Sequence, residues 1–234
     1  IRDRGSYAEF TLANADRVAV IPDSLGFREA AALPVAALTA WQGLFDRGGL
    51  QAGDLTLVHG GSGGVGSFAV QFARRAGARV AATCSTANLA YVEGLGAERV
   101  IDYTREDISR SVTAWAPAGL DYLMDAVGVS TLPGAVALVR EGGTFVSIPT
   151  LVDDGDMATA VQEARSRGVN KVYAVMDDSN CADTLRRIAD MLVAGEIQPP
   201  PIREFDLPQV AAAHEIIQRG HNRGKLVLKV AEIN

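Results

Sequence analysis

The sequence predicts an α/β fold built on a doubly wound parallel sheet. Six short apolar runs recur through the middle of the chain, at residues 55–59, 79–83, 99–102, 120–126, 144–148 and 171–176. Stretches of helical length and period separate them, at 64–76, 86–95, 105–115, 131–139 and 157–167. Parallel strands buried on both faces read as near-continuous apolar text, and they need crossovers that place helices over the sheet. A dense run of glycines falls between the first apolar run and the helical stretch after it, where such folds make their sharpest turn.

The remaining elements follow in chain order. Residues 1–22 alternate apolar and polar, with turn signals at Ala13-Asn-Ala-Asp16 and Pro22-Asp23, which predicts small antiparallel strands. From Phe27 the text becomes alanine-rich and helical, through Ala30-Ala-Ala-Leu33 and on to Trp41 and Phe45. Beyond the alternating region a helix is predicted over 182–193. Gln198-Pro-Pro-Pro201 then stops any helix or central strand and marks a boundary. A helix beginning near Leu207-Pro208 and a strand over 225–230, after Gly224, close the chain. Because the text opens on Ile1 and runs straight into strand-like residues, it reads as a cut or incompletely recorded chain.

Composition narrows the function. With 234 residues, 48% apolar and 21% charged, the chain can bury a full core. Its net charge of −6 and scattered basic residues argue against nucleic acid as a partner. No apolar run approaches the roughly 18 residues needed to span a bilayer, and no leader pattern is visible, so no membrane association is expected. The two cysteines, Cys84 and Cys181, lie far apart with no CxxC or histidine pair nearby, which suits a reducing cytoplasm.

The strongest local signal is Leu55-Thr-Leu-Val-His-Gly-Gly-Ser-Gly-Gly-Val-Gly66. Gly61, Gly63 and Gly66 match the GxGxxG spacing that lets backbone approach a pyrophosphate over the positive end of a helix, and this makes the predicted sheet Rossmann-type. About twenty residues on, an NAD site offers an acid to the ribose hydroxyls. Here the text is Val80-Ala-Ala-Thr-Cys-Ser-Thr-Ala-Asn88, without a carboxylate. Ser85, Thr86 and Asn88 could donate to a 2′-phosphate or cap the following helix, so NADP is favoured over NAD.

Several linked segments then resemble one family. Gly5-Ser-Tyr-Ala-Glu-Phe, Ala30-Ala-Ala-Leu-Pro-Val-Ala-Ala-Leu-Thr-Ala-Trp, the 59–66 loop, Leu95-Gly-Ala-Glu-Arg-Val-Ile-Asp-Tyr, Asp121-Tyr-Leu-Met-Asp-Ala-Val-Gly and Arg223-Gly-Lys-Leu-Val-Leu are similar, in order and spacing, to the quinone-oxidoreductase and zeta-crystallin branch of the medium-chain reductases. The resemblance implies a Rossmann-type sheet with parts of a GroES-like β domain. Residues 1–35 would be a remnant of that catalytic domain, 36–198 the NADP-binding domain, and 199–234 the return to the catalytic domain. Most of the GroES-like domain would normally precede Ile1.

The resemblance also implies the site. Ser62, Gly63, Gly64 and Val65 would meet the pyrophosphate, Ser85 the adenosine phosphate, and Tyr103 the adenosine end. Thr39 and the segment Ala126-Val127-Gly128 would face the nicotinamide. Asn88 stands where the family often has a lysine, and Lys225 lies in a matching Gly-Lys pair near the cleft or simply closes a strand. Val35 occupies a stretch where zinc-dependent relatives carry a cysteine ligand, so the site is expected to be zinc-free. His59 is read as structural, and His214 and His221 as solvated. Asp125, at a strand's carboxyl end, is read as structural ahead of catalytic, and neither cysteine has a base beside it.

The activity implied is NADPH-dependent hydride transfer to a quinone or an α,β-unsaturated carbonyl, with no catalytic residue identified. The alternatives are a zinc-type alcohol dehydrogenase and a non-catalytic NADPH-binding or crystallin-like protein. The edge strand at 171–176 implies a homodimer.

Overall fold

Each of the six apolar runs overlaps a strand: β1 (Leu55–His59), β2 (Arg79–Cys84), β3 (Arg99–Asp102), β4 (Leu120–Asp125), β5 (Val139–Ser147) and β6 (Asn170–Tyr173). They pair in parallel in the order β3-β2-β1-β4-β5-β6. The computed structural model describes residues 5–150, 157–179, 181–220 and 222–231. Two units are distinguished, one of Thr39–Val175 and one of Ile1–Leu38 with Met176–Asn234.

In the first unit the strands bury alternate residues on opposite faces. Leu57, Ala81, Ile101, Leu123 and Phe145 share one face with α5 (Ile108–Trp115), α6 (Met157–Ser166) and the turn residues Val129, Val136 and Leu138. Residues of the other parity, among them Val58, Ala82, Met124 and Val146, are equally buried. Their neighbours are α3 (Gly64–Arg75), α4 (Leu89–Gly94) and the helical residues Gln42–Arg47, with Phe72 of α3 edge-on to Trp41. Helices on both faces are what a parallel sheet requires, since its strands are apolar on both sides.

Two sequence expectations need correction. The segment 131–139 is no α-helix: it holds 3-10 turns at Val129–Thr131 and Ala135–Leu138, separated by Pro133 and by Gly134 at φ 73°. Proline withholds a donor and a left-handed residue breaks the right-handed spiral, so β5 begins earlier than the apolar run suggests. Among the described residues 5–22 there is no strand, only a 3-10 turn at Ala15–Arg17. Phe10 and Val20, 90% and 88% exposed, have no strand beside them, and an unpaired strand leaves its backbone groups unsatisfied.

The second unit contains α1 (Phe27–Ala32), α7 (Cys181–Val193), and β7 (Ile202–Asp206) paired in parallel with β8 (Lys225–Lys229) across α8 (Val210–Gln218). Asp206 and Gln209 form a reciprocal capping box at the turn that leads into α8, which fixes where that helix starts. β7, α8 and β8 bury Phe205, Ala213 and Val227, while α1 buries Ala32 and α7 buries Cys181, Ile188 and Ala189.

One buried polar contact ties the sheet to its covering helix. The Tyr122 hydroxyl donates to the Gly43 carbonyl at 2.5 Å, and a Cβ on Gly48 would lie 2.1 Å from the same hydroxyl oxygen. Tyr122→Phe removes that bond and should lower unfolding free energy by about 1–2 kcal/mol, read from urea denaturation.

Candidate functional site

β1 and β4 are neighbours in the sheet, and the chain leaves them in different directions, so a crevice opens at their carboxyl ends. At the end of β1, Gly60 adopts φ 87°, a conformation natural only to glycine, and turns the chain toward α3. The Gly61 amide donates to the Thr83 carbonyl at 2.9 Å, and the Gly63 amide to the Gly60 carbonyl at 3.1 Å. A Cβ on Gly66 would sit 2.1 Å from the Gly60 carbonyl oxygen, and one on Gly61 2.9 Å from the Ala82 Cβ. The sharp turn therefore belongs to Gly60, while Gly61 and Gly66 permit close packing. Gly60 was legible only as the glycine that directly follows the strand.

This packing starts α3 at the crevice. No side chain caps its first turn. The amides of Gly64, Val65 and Gly66 have no acceptor within the helix, and the first to find one is Ser67, bonded to the Gly63 carbonyl at 3.0 Å. Amides without a helix acceptor at the positive end of a twelve-residue helix form a cradle for an anion. Around Gly63 the nearest atom to an added Cβ is 3.4 Å away, so a ligand can approach the backbone there. The residues thus fit a diphosphate.

Behind the loop lies a buried polar network that sequence reasoning did not assemble. His59 Nδ1 lies 2.8 Å from Thr83 Oγ1, and His59 Nε2 2.9 Å from Thr131 Oγ1. Thr83 Oγ1 also accepts the Gly60 amide at 2.9 Å, and the Thr131 hydroxyl donates to the Gly128 carbonyl at 2.7 Å. Asp125 Oδ1 accepts the amides of Val127 and Gly128 at 2.9 and 3.0 Å, while its Oδ2 is buried with no partner among the described residues. Burial lowers the His59 pKa below 6.5, although the Asp125 charge pulls it back up.

At the ends of β2 and β3 the predicted phosphate donors are partly committed. Asn88 donates from Nδ2 to the Ser85 hydroxyl at 3.1 Å, so these two form one unit. Thr86, which the sequence offered as a donor to a phosphate, instead donates to Asp102 Oδ2. Asp102 Oδ1 accepts the Thr104 amide at 3.0 Å and its hydroxyl at 2.6 Å, and Arg105 Nε stands 3.8 Å from Oδ2. These bonds, the Thr104 hydroxyl first, hold the Asp102 carboxyl below its usual range. The Tyr103 amide donates to the Cys84 carbonyl, which puts Tyr103 at this corner with 39% of its surface exposed.

Thus Gly61, Ser62, Gly63, Gly64, Val65, Gly66, Ser85, Asn88, Tyr103 and Val127 all line the carboxyl ends of one sheet, with Val127 packed against Gly60. Thr39 is buried on α2 (Pro34–Trp41), and Lys225 opens β8 in the other unit, where burial lowers its pKa. His214 approaches the Tyr7 hydroxyl at 3.4 Å. His221 lies outside the described residues. Burial pushes the Cys84 thiol up to about 11, which suppresses the thiolate a nucleophile needs.

Residues 95–228 match a family model described as zinc-binding dehydrogenase. The chain is 32% identical over 250 residues to the mitochondrial NAD(P)H oxidoreductase RTN4IP1 of Danio rerio, covering 98% of this chain and 64% of that protein. It thus spans just under two thirds of that relative. Among solved structures it superposes on the quinone oxidoreductase from Coxiella burnetii with a TM-score of 0.80 and 31% identity, over 90% of this chain and 63% of that one. It superposes on mycobacterial Rv1454c complexed with NADPH with a TM-score of 0.82 and 26% identity, over 96% and 71%. For all the family's description, no group of three or more His, Cys, Asp or Glu among the described residues could hold a metal ion, so these residues do not fit zinc.

Gly66→Ala forces the start of α3 away from the Gly60 carbonyl. It should cost about 1–3 kcal/mol in urea unfolding and displace the loop amides in an amide NMR spectrum. The neutral His59 gives a second expectation. Above its ordinary pKa of 6.5 it contributes no pH dependence. Below that value the unfolded chain takes up a proton that the folded one refuses, so stability falls as pH falls. Unfolding measured between pH 7.5 and 5.5 should show this slope, and His59→Asn should flatten it.

Proposed function

Because the chain belongs to the zinc-binding dehydrogenase family, we propose that loop 60–66 holds NADPH for hydride transfer to a quinone or an α,β-unsaturated carbonyl compound, without zinc. The observation that carries this reading is the set of uncapped amides at the head of α3, beside the crevice between β1 and β4. The names of similar proteins support it: an NAD(P)H oxidoreductase, a quinone oxidoreductase and a structure solved with NADPH.

NADPH supplies the hydride when bound; the protein's part is to grip and orient it. In this reading Ser62, Gly63, Gly64 and Val65 meet the pyrophosphate, Gly64 and Val65 through amides free of any helix acceptor while the Gly63 amide stays on the Gly60 carbonyl, with Gly61 and Gly66 shaping the loop. Ser85, Asn88 and Tyr103 receive the adenosine end. Thr39 and Val127 face the nicotinamide, and Lys225 is included on the resemblance alone. We assign no catalytic acid.

The same reading takes 1–35 and 199–234 as parts of a GroES-like catalytic domain and 36–198 as the nucleotide domain. No helix among the described residues is long and apolar enough to cross a membrane. Cys84 and Cys181 are buried free thiols, in keeping with a reducing cytoplasm. Strand β6 lies at the sheet edge with Tyr173 and the following Val175 exposed, which suits pairing with a second copy in a homodimer.

Calorimetric titration of the chain should detect NADPH binding, weakened by Gly66→Ala. Binding of neither NADPH nor NADH would overturn the cofactor reading. Stopped-flow mixing with NADPH and a panel of quinones and enones should show NADPH oxidation. Binding without oxidation would leave a nucleotide-holding protein that is no reductase.

A further inference from the structure

We infer that His59 is a positioning residue that locks the loop after β1 to the turn after β4, making the two sides of the crevice one unit. The consequence for cofactor binding rests on the NADPH reading above.

The hydrogen bonds can be given directions from one end. Thr131 spends its only hydroxyl proton on the Gly128 carbonyl at 2.7 Å, so toward His59 Nε2 at 2.9 Å it can only accept. Nε2 therefore carries the ring proton. With the ring neutral, Nδ1 is a lone pair, and it takes the Thr83 hydroxyl proton at 2.8 Å. Thr83 Oγ1 then accepts from the Gly60 amide at 2.9 Å. Each hydroxyl donates once toward its neighbour and accepts once, giving a one-way chain from the Gly60 amide, through Thr83, His59 and Thr131, to the Gly128 carbonyl.

Both ends of this chain matter to the crevice. Gly60 makes the left-handed turn into the loop whose amides head α3, and Gly128, at φ 142°, closes the turn that carries Val127. The two segments also touch, since a Cβ on Gly60 would lie 2.5 Å from Val127 Cγ2. Asp125 holds the same turn from beneath through its Oδ1. Imidazole suits the linking position because its two nitrogens serve partners on opposite sides while the ring is buried from water. Among the described residues packed on His59, Asp125 of β4 is the charged group, while Thr83 of β2 and Thr131 of the turn are neutral. A second ring proton would leave the Thr83 hydroxyl proton without its acceptor.

The test uses threonine variants that spare the imidazole. Thr131→Val touches only the far end, yet amide exchange at Gly60 should speed up several-fold in the free protein; Thr83→Val should do the same at Gly128. Effects confined to the mutated side would overturn the coupling. Nitrogen NMR of the unsubstituted chain near neutral pH should find His59 protonated at Nε2 only, and the opposite tautomer would equally overturn it. For NADPH, each single variant should weaken binding roughly fivefold, and the double variant should fall well short of the roughly 25-fold expected for independent sites. A full product would overturn the shared-lock model. If the unsubstituted chain binds no nucleotide, the cofactor reading alone falls, and the exchange and tautomer results still decide the role of His59.

Discussion

The approach of Gly66 to the Gly60 carbonyl is the contact on which the rest of the site depends. A helix that begins one short loop after a central strand must pass its first turn over that loop's own peptide. With a side chain at residue 66 the first turn would have to move, since the added carbon would lie 2.1 Å from a backbone oxygen that cannot swing away. Glycine costs helix stability, and here that cost places three unpaired amides beside the crevice. The apolar α3 residues Phe68 and Phe72, buried against the sheet, hold the helix where that start is possible.

Strand parity then decides which polar groups meet. The face that packs Leu57, Ala81 and Leu123 into one core continues, two residues further along each strand, as His59, Thr83 and Asp125. The polar network is thus the continuation of the hydrophobic face beyond the point where apolar residues stop. The opposite parity delivers Cys84 and Asp102 side by side at the other corner. A one-residue slip of any strand would exchange these sets, so the register that builds the core also builds the crevice.

Much of this was legible in the residues. β1 and β3 occupy the expected positions because their apolar text is bounded by turn residues, and the glycine run fixes the start of α3. Other features depend on partners that periodicity cannot name. The His59 contacts reach 24 and 72 residues along the chain, and a lone buried histidine carries no local mark of either. Thr86 looked available because its acceptor, Asp102, is 16 residues away. β7 went unread because Arg203, Glu204 and Asp206 dilute its apolar content, and the segment 131–139 misled because Pro133 and Gly134 sit inside apolar text of helical length.

The corner around Asp102 has a consequence for attempts to redesign its polar groups. Its carboxylate engages two threonine hydroxyls and a backbone amide and stands beside an arginine, so none of these groups is an independent handle. Removing that one acid releases Thr86 and Thr104 from their acceptor and deprives Arg105 of its counter-charge, which shifts the local potential and the donor inventory in a single step. The polar character of this corner is therefore a collective property, and a designer would have to rebuild the cluster as a whole.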